Sequence, residues 1–313
     1  MLRTKALSKL LPRSRPERAL LTLLVLGVPC AAVWMWLVVL PQFPGAWHSA
    51  FILHVVLTVY LLYNVSVNFF LTMRVDASGD PSALPVFLKP GWRYCHYCEL
   101  NAPARSYHCS DCGSCILRRD HHCRFTGCCV GHHNQRFFVA GLVHLVAGLT
   151  YLLVYQWPLV YRLLGVSIYT FPLVLLAPHF AWVWGTITHW GMMVMTYVAG
   201  TITHWGMMVM TCVAGTITHW GMMVATVHCA CVAAWMTCVY VSYTQLRVII
   251  TGTTQHEHKH GVTIYNVSVT HNITTALGHR WYLVLFWPHV SSTLASDGLI
   301  FTTAADHQEL KDI

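Results

Sequence analysis

Residues 95–129 read CHYCELNAPARSYHCSDCGSCILRRDHHCRFTGCC and hold eight of the thirteen cysteines of this 313-residue chain. Thiols separated by two residues can bind one metal ion across a tight turn, and a structural zinc site takes four sulfur or imidazole ligands. Six of these cysteines and two histidines are therefore enough for two closed zinc sites. We expect zinc to stabilise this segment, because it has too few apolar residues for a core of its own.

Two zinc sites with four ligands each leave four potentially reactive side chains in this stretch without a ligand role. They are Asp120, Cys123 and one member each of the neighbouring pairs His121–His122 and Cys128–Cys129. A free thiol beside a free imidazole has the chemistry of a nucleophile with its base, and a carboxylate can fix the imidazole tautomer. The alternative is that the Asp and His are ordinary polar surface and the Cys is a spare ligand. Spacing alone leaves both interpretations open.

The composition indicates a membrane protein. Hydrophobic residues make up 56% of the chain and charged residues only 10%, against about 25% charged residues in soluble domains. The net charge of +8 is concentrated before the first apolar run and between Arg74 and Arg136. Because these basic residues flank apolar spans, the positive-inside rule accounts for them, and we predict contact with the lipid bilayer and none with nucleic acid.

We predict an all-α polytopic membrane protein, with about four to six transmembrane helices and a small cytosolic, zinc-stabilised cysteine-rich domain. Both termini are expected in the cytosol, and the cysteines of a cytosolic domain indicate metal binding or catalysis rather than disulfides. The predicted segments are a basic cytosolic N-terminus (1–18), two transmembrane helices (19–73), the cysteine-rich domain (74–136), further transmembrane helices (137–246) and a cytosolic tail (247–313).

Individual spans follow from the apolar runs. Ala19–Leu40, at about 22 residues, is too long for a signal peptide and is predicted to be the first span. Phe137–Trp157 and Gly165–Trp184 are predicted spans after the cysteine-rich domain. A 15-residue unit then repeats over 185–226. One copy would rise about 22 Å as a helix, less than the roughly 30 Å hydrocarbon core, so we interpret it as a tolerated apolar duplication rather than a crossing.

The cysteine-rich segment resembles the DHHC-type protein S-acyltransferases, the palmitoyltransferases, in its fixed spacings from Cys95 to Phe138 and in Pro103, Arg105 and Asn134. By position, the resemblance implies one zinc site formed by Cys95, Cys98, His108 and Cys115, and a second formed by Cys109, Cys112, His122 and Cys129. It further implies the catalytic roles of acyl-accepting nucleophile for Cys123, general base for His121 and orienting carboxylate for Asp120.

The resemblance also implies a reaction. A long-chain acyl group would pass from palmitoyl-CoA, as co-substrate, through a Cys123 acyl-enzyme to accessible cysteines of membrane-associated protein substrates. Two structural Zn²⁺ ions and a location in the Golgi or endoplasmic reticulum membrane are implied with it. The alternative function is a non-catalytic, zinc-binding membrane scaffold, which would tolerate loss of the spare thiol. A transporter is disfavoured, because Arg162 is the only formally charged side chain in residues 137–246.

Beyond the cysteines, Tyr265 and the run Asn272–Gly278 resemble the family's C-terminal motif with its essential Asn. The family's Thr-Thr-x-Glu motif is one residue longer here, which leaves the role of Glu257 open. Cys128 stands where the family often has Asn. Ten residues are too few to span a bilayer, so Trp281–Val290 is predicted to lie at the membrane interface.

Two further sets of residues bear on ligand binding. Basic side chains near the nucleophile are expected mostly to be solvated or to contact lipid headgroups, with the CoA head close to them. They are Arg118, Arg119, Arg124 and Arg136. Gly141 and Gly148 share one face of the third span, where small residues either deepen an acyl cavity or allow close helix packing.

Overall fold

The computed structural model describes residues 3–79, 84–164 and 204–309. Within them, four helices are long and apolar enough to cross a membrane, over Arg15–Gln42, Ala50–Arg74, Gln135–Leu163 and Met223–Ile250. This confirms the prediction of a mostly helical, multi-pass membrane protein. The predicted span Gly165–Trp184 lies outside the described residues.

The long helices are α1 (Arg15–Trp34), α2 (Pro44–Arg74), α3 (Gln135–Leu164) and α4 (His204–Ile250). The chain continues from α1 through a π-helical turn over Met35–Val39 and a 3₁₀ turn over Leu40–Gln42. Large apolar side chains project outward from these helices, among them Leu23, Leu37 and Ile52 at 63%, 73% and 77% exposure. Such exposure is costly in water but not in lipid, which is consistent with spanning helices.

The end of the repeat lies inside a single helix. Residues 204–226 belong to the first half of α4, which runs for 47 residues without a break. In the part of the chain that the structure describes, the repeat unit therefore does not form a separate crossing. The first copy, residues 185–199, lies outside the described residues.

The cysteine-rich segment forms three short antiparallel hairpins. Their strands are β1 (Arg93–Cys95), β2 (Leu100–Ala102), β3 (Tyr107–Cys109), β4 (Ser114–Ile116), β5 (His121–Cys123) and β6 (Cys128–Val130). The three turns share one conformation, with a left-handed residue just before the second strand. Those residues are Glu99, Gly113 and Gly127, with φ of 51°, 66° and 60°. The left-handed region favours glycine, which accounts for two of the three residues.

After α4 the chain forms the short helices α5 (Gln255–Lys259), α6 (Val269–Leu277), α7 (Trp281–Val284) and α8 (Ala304–Glu309). The aromatic segment that contains α7 packs on α2. Tyr63 stacks on Trp287 with ring centroids 5.1 Å apart, and the Tyr60 hydroxyl donates to the Phe286 carbonyl at 2.9 Å. Tyr282 and Phe286 remain 52% and 66% exposed, as the predicted interfacial position requires.

The chain divides into two compact units. One comprises Met1–Ala32, Ile52–Gly148 and Cys238–Ile313, and it contains the three hairpins and the helices that follow α4. The other comprises Val33–Phe51 and Leu149–Thr237. In the second unit, α3 and α4 pack through Leu159, Val160 and Val224.

A buried ion pair joins the loop between β2 and β3 to α5. Arg105 donates from Nε and Nη2 to the two carboxylate oxygens of Glu257, each at 2.6 Å, and both side chains are at most 2% exposed. Glu257 also accepts from the backbone N–H of Thr254, whose hydroxyl accepts from the Glu257 N–H in a capping box. The additional motif residue thus places Glu257 at the third helical position, which a capping box requires. Its role is structural.

We expect Glu257→Gln to destabilise the protein by about 3–5 kcal/mol, because the neutral amide leaves the buried Arg105 without its counter-charge. Thermal unfolding in detergent measures the loss. The matched control is Asp76→Asn, which breaks an ion pair to Arg3 whose arginine is 47% exposed, and should cost less than about 1 kcal/mol. Equal shifts in Tm for the two variants would contradict a structural role for the buried pair.

Candidate metal centres and active site

Two clusters of Cys and His side chains could each hold a metal ion. Cys95, Cys98, His108 and Cys115 form one, and Cys109, Cys112, His122 and Cys129 form the other, with the ligand atoms of each cluster within 4.8 Å of one another. In each cluster, one hairpin turn supplies a Cys-x-x-Cys pair. The next hairpin supplies a His and a Cys that lie directly opposite each other across its two strands. Directly opposite residues project from the same face, so both point at the same ion.

The distances suit a tetrahedral zinc ion. In the second cluster, His122 Nδ1 lies 3.6, 3.4 and 3.7 Å from the sulfurs of Cys109, Cys112 and Cys129. With Zn–S near 2.3 Å and Zn–N near 2.0–2.1 Å, a tetrahedron has S···N edges of about 3.6 Å. In the first cluster, Nδ1 of its histidine lies 3.2 and 3.8 Å from the sulfurs of its Cys-x-x-Cys pair. The donor set and its spacing therefore fit zinc.

A carboxylate from α1 forms a hydrogen bond with the histidine ligand of the second cluster. His122 Nε2 lies 3.0 Å from Glu17 Oε1, so the ring donates to the carboxylate and keeps Nδ1 free as the ligand atom. Glu17 is 9% exposed and lies in the first turn of α1. The cysteine and histidine spacings do not indicate this residue. A signal was present, because Glu17 is the only acidic residue before Asp76 and stands among basic ones.

The Asp120, His121 and Cys123 side chains form a hydrogen-bonded series. Asp120 Oδ2 lies 2.8 Å from His121 Nδ1, and a side-chain hydrogen bond joins His121 to the Cys123 thiol. Burial alone would raise the pKa of the thiol, but the hydrogen bond and charge of His121 outweigh it and lower the Cys123 pKa. Burial likewise opposes protonation of the imidazole, yet Asp120 and Cys123 raise the His121 pKa to about 9. This arrangement favours a thiolate beside an imidazolium.

The sequence of the third hairpin turn shows why the Cys123 thiol is not paired with a second thiol as a metal ligand. Cys109 and Cys112 begin the second hairpin turn as Cys-x-x-Cys-Gly, and the third turn repeats that pattern as Cys123-x-x-Thr126-Gly. A hydroxyl thus replaces the second thiol, and a side-chain hydrogen bond joins it to Cys123. Neither metal cluster in the described residues includes Cys123.

Cys128 lies directly opposite Cys123 in the β5–β6 register. Its thiol faces Thr126 Oγ1 at 3.4 Å and the Thr72 carbonyl at 3.7 Å, and neither metal cluster found among the described residues includes it. Burial raises the pKa of the Cys128 thiol to about 12, so it stays protonated near neutral pH. The two neighbouring thiols therefore differ in chemistry, because the pKa of Cys123 is lowered and that of Cys128 is raised.

Cys123 is 8% exposed and belongs to a cluster of apolar side chains. They come from all four long helices and from β6: Leu24, Val28, Val65, Phe69, Val130, Phe138, Leu142, Leu145, Cys238 and Val241. The Cys123 thiol therefore belongs both to the third hairpin and to an apolar cluster formed with the long helices. This environment suits an apolar substrate.

Other predicted residues have different surroundings from those expected. The expectation that most of the four arginines are solvated is wrong for Arg118 and Arg136, which are 1% and 6% exposed. Arg136 Nη1 donates to the Ser292 carbonyl at 2.5 Å. A Cβ on Gly141 would lie 3.2 Å from the Cβ of Asn68, which favours close helix packing, whereas nothing lies within 4 Å of one on Gly148.

Asn272 of the C-terminal motif forms hydrogen bonds at the C-terminal end of α4. Asn272 Nδ2 donates to the Ile250 carbonyl at 2.8 Å and to Asn266 Oδ1 at 2.9 Å. The Tyr265 ring lies 4.1 Å from the Arg105 guanidinium. These residues therefore act on the turn that leads to α5 rather than on the thiol itself.

Replacing Glu17 with Gln should weaken binding of Zn²⁺ to the second cluster by about 10–100-fold, because the ligand imidazole loses the carboxylate that orients it. Competition with a chromogenic chelator on purified protein measures this affinity. Glu309→Gln, at an exposed position in α8, is the control and should leave both affinities unchanged. Wild-type affinity in Glu17→Gln would show that the carboxylate contact does not support the metal.

Comparison with known proteins matches this geometry to a family. The family model for DHHC palmitoyltransferases matches residues 88–262. A Rattus norvegicus protein named probable palmitoyltransferase ZDHHC24 is 34% identical over 261 residues, which cover 81% of this chain and 80% of the rat protein. The Homo sapiens protein of that name is 32% identical over 259 residues, with the same coverage. Homo sapiens palmitoyltransferase ZDHHC20 is 45% identical over 65 residues, 20% of this chain and 18% of that protein. The chain belongs to the DHHC palmitoyltransferase family.

Proposed function

We propose that Cys123 of this S-acyltransferase carries a long-chain acyl group from acyl-CoA to cysteine thiols of membrane-associated proteins. The hydrogen-bonded series of Asp120, His121 and Cys123 supports the proposal, because both metal clusters are complete without its thiol. The relatives are named palmitoyltransferases, so palmitoyl-CoA is the proposed donor.

The transfer takes two steps. The Cys123 thiolate attacks the thioester carbonyl of the acyl-CoA, the C–S bond to CoA breaks, and the departing CoA thiolate takes a proton from the His121 imidazolium. A substrate cysteine then gives its proton to His121 and attacks the acyl-enzyme, which releases Cys123 as thiolate. Asp120 holds the imidazole orientation in both steps. One thioester replaces another, so no external energy source is needed.

The apolar surroundings of Cys123 suit the acyl chain. Burial of a fatty chain is worth about 0.8 kcal/mol per methylene, so a sixteen-carbon tail strongly prefers an apolar environment to water. Cys123 shares an apolar cluster with Val65 and Phe69 of α2 and Leu142 of α3, two helices apolar enough to cross the bilayer. We therefore place the acyl chain among these helices and the CoA head on the side of the hairpins.

We propose that each cluster binds one structural zinc ion through its three Cys and one His side chains. Four protein ligands for each ion leave no open coordination position, so the role of the ion is to cross-link the hairpins rather than to bind substrate. An integral membrane protein with cytosolic termini in the Golgi or endoplasmic reticulum fits this function, since acyl-CoA and the thiols of its substrates are both on the cytosolic side.

Acyl-enzyme formation tests the proposal. Detergent-purified wild type, supplied with alkyne-tagged palmitoyl-CoA, should acquire a hydroxylamine-sensitive label, and Cys123→Ser should acquire none. Cys128→Ser is the matched control and should keep the label, because its thiol stays protonated beside the nucleophile. His121→Ala should slow labelling by about 10²–10⁴-fold, through loss of the base.

Two results would overturn the proposal. If folded, zinc-loaded wild type takes no label, the chain does not use this donor and the scaffold function gains support. If Cys128→Ser loses the label while Cys123→Ser keeps it, the nucleophile has been assigned to the wrong thiol.

A further inference from the structure

Behind Asp120, three more buried polar side chains form a continuous hydrogen-bonded line. Arg118 Nη1 donates to Gln135 Oε1 at 2.5 Å, Gln135 Nε2 donates to Gln245 Oε1 at 3.2 Å, and Gln245 Nε2 donates to Asp120 Oδ2 at 2.8 Å. The same Oδ2 lies 2.8 Å from His121 Nδ1. The line therefore ends on the atom that orients the imidazole.

The groups at the two ends of the line determine which side chain donates and which accepts in each of its hydrogen bonds. A guanidinium can only donate, so Gln135 must turn its oxygen toward Arg118 and its nitrogen away from it. Gln245 must then present its oxygen to Gln135, which leaves its nitrogen for Asp120. An ionised carboxylate can only accept, so the amide orientations agree with both ends.

Burial makes each link costly to break. Arg118, Gln135, Gln245 and Asp120 are 1%, 0%, 1% and 4% exposed. A buried donor or acceptor that loses its partner costs about 1–3 kcal/mol, so the amides are held in one orientation. The line also joins three elements, because Arg118 precedes β5, Gln135 begins α3 and Gln245 lies near the end of α4.

We propose that Gln245 and Gln135 are positioning residues for acyl transfer, which hold the Asp120 carboxylate in the rotation that keeps Oδ2 on His121. This inference rests on the proposed function of Cys123 and His121. The other oxygen, Oδ1, accepts from the backbone N–H of Gln255 at 2.7 Å. Without Gln245, the Gln255 N–H would be the one remaining donor, apart from His121 itself, among those that hold the carboxylate in this rotation.

Gln135 acts through Gln245. If Gln135 is replaced by an apolar residue, the buried Gln245 oxygen loses its donor, and the bond to Asp120 alone then holds the Gln245 amide in place. The two substitutions should therefore be non-additive, as expected for residues that act as one unit.

The experiment compares Gln245→Met, Gln135→Met, the double variant and Gln245→Glu. Gln245→Glu keeps the size of the side chain and places a second carboxyl beside the buried Asp120, where a shared proton lowers the negative charge that Asp120 presents to His121. The matched control is Gln156→Met, since Gln156 is also fully buried in a long apolar helix but donates to the Val224 carbonyl. For each variant we would measure kcat and KM for palmitoyl-CoA, the iodoacetamide alkylation rate of Cys123 by peptide mass spectrometry, zinc content and Tm.

We expect Gln245→Met to lower kcat by about 10–100-fold with KM changed less than about threefold, because misplacement of a catalytic group slows the chemical step. Gln245→Glu should be at least as slow, and the double variant no slower than Gln245→Met. Alkylation of Cys123 should slow in these variants and remain at the wild-type rate in Gln156→Met. Zinc content should be unchanged throughout.

The inference is overturned if Gln245→Met retains wild-type kcat, because methionine has no donor and donation to Asp120 would then be unnecessary. It is also overturned if Gln245→Met and Gln156→Met lower kcat equally, in proportion to their loss of Tm. If the wild type forms no acyl-enzyme, the proposed function fails separately, and the alkylation rates still show whether the amides position His121 beside Cys123.

Discussion

Successive side chains of a β-strand point to opposite faces, so His108 and Cys109 in β3 belong to different metal clusters. The middle hairpin thus carries ligands on both faces, and each cluster links it to a neighbouring hairpin. The hairpins have strands of only three residues, too short to be stable alone. With the proposed zinc ions bound, this cross-linking would fix the position of the thiol, because β5 carries His122, a ligand of the second cluster, immediately before Cys123.

Once β5 is held by the metal cluster, the surroundings of Asp120 determine the chemistry of the thiol. The carboxylate is buried and accepts from the His121 ring, the Gln245 amide and the Gln255 backbone. The last of these donors belongs to the first turn of α5, where backbone N–H groups have no partner within the helix. The Arg105–Glu257 ion pair holds α5 in place. The ion pair therefore supports the active site indirectly, through the helix that it anchors.

Much of this site could be predicted from local spacing. The Cys-x-x-Cys pairs and the histidines of each cluster lie within short hairpins, so the sequence positions of potential ligands reflect their positions in space. The family resemblance then suggested the grouping of ligands that the structure brings together. The supporting residues could not be predicted in this way. Glu17 reaches His122 across 105 residues, and Gln245 reaches Asp120 across 125. No local pattern encodes such a contact.

An apolar, multi-pass membrane protein of the DHHC family could be inferred without a structure, because hydropathy and ligand spacing are properties of short segments. The polar groups around the thiol and the burial of individual arginines depend on how distant segments pack and became visible in the folded chain alone. Arg118 had been expected at the surface with the other arginines, yet it is 1% exposed and donates to Gln135. A buried polar group needs a partner, and the partner of Arg118 Nη1 lies on α3, whereas Arg118 itself lies in the loop between β4 and β5. The packing of that loop against the helix is a property of the whole fold and not of any short segment.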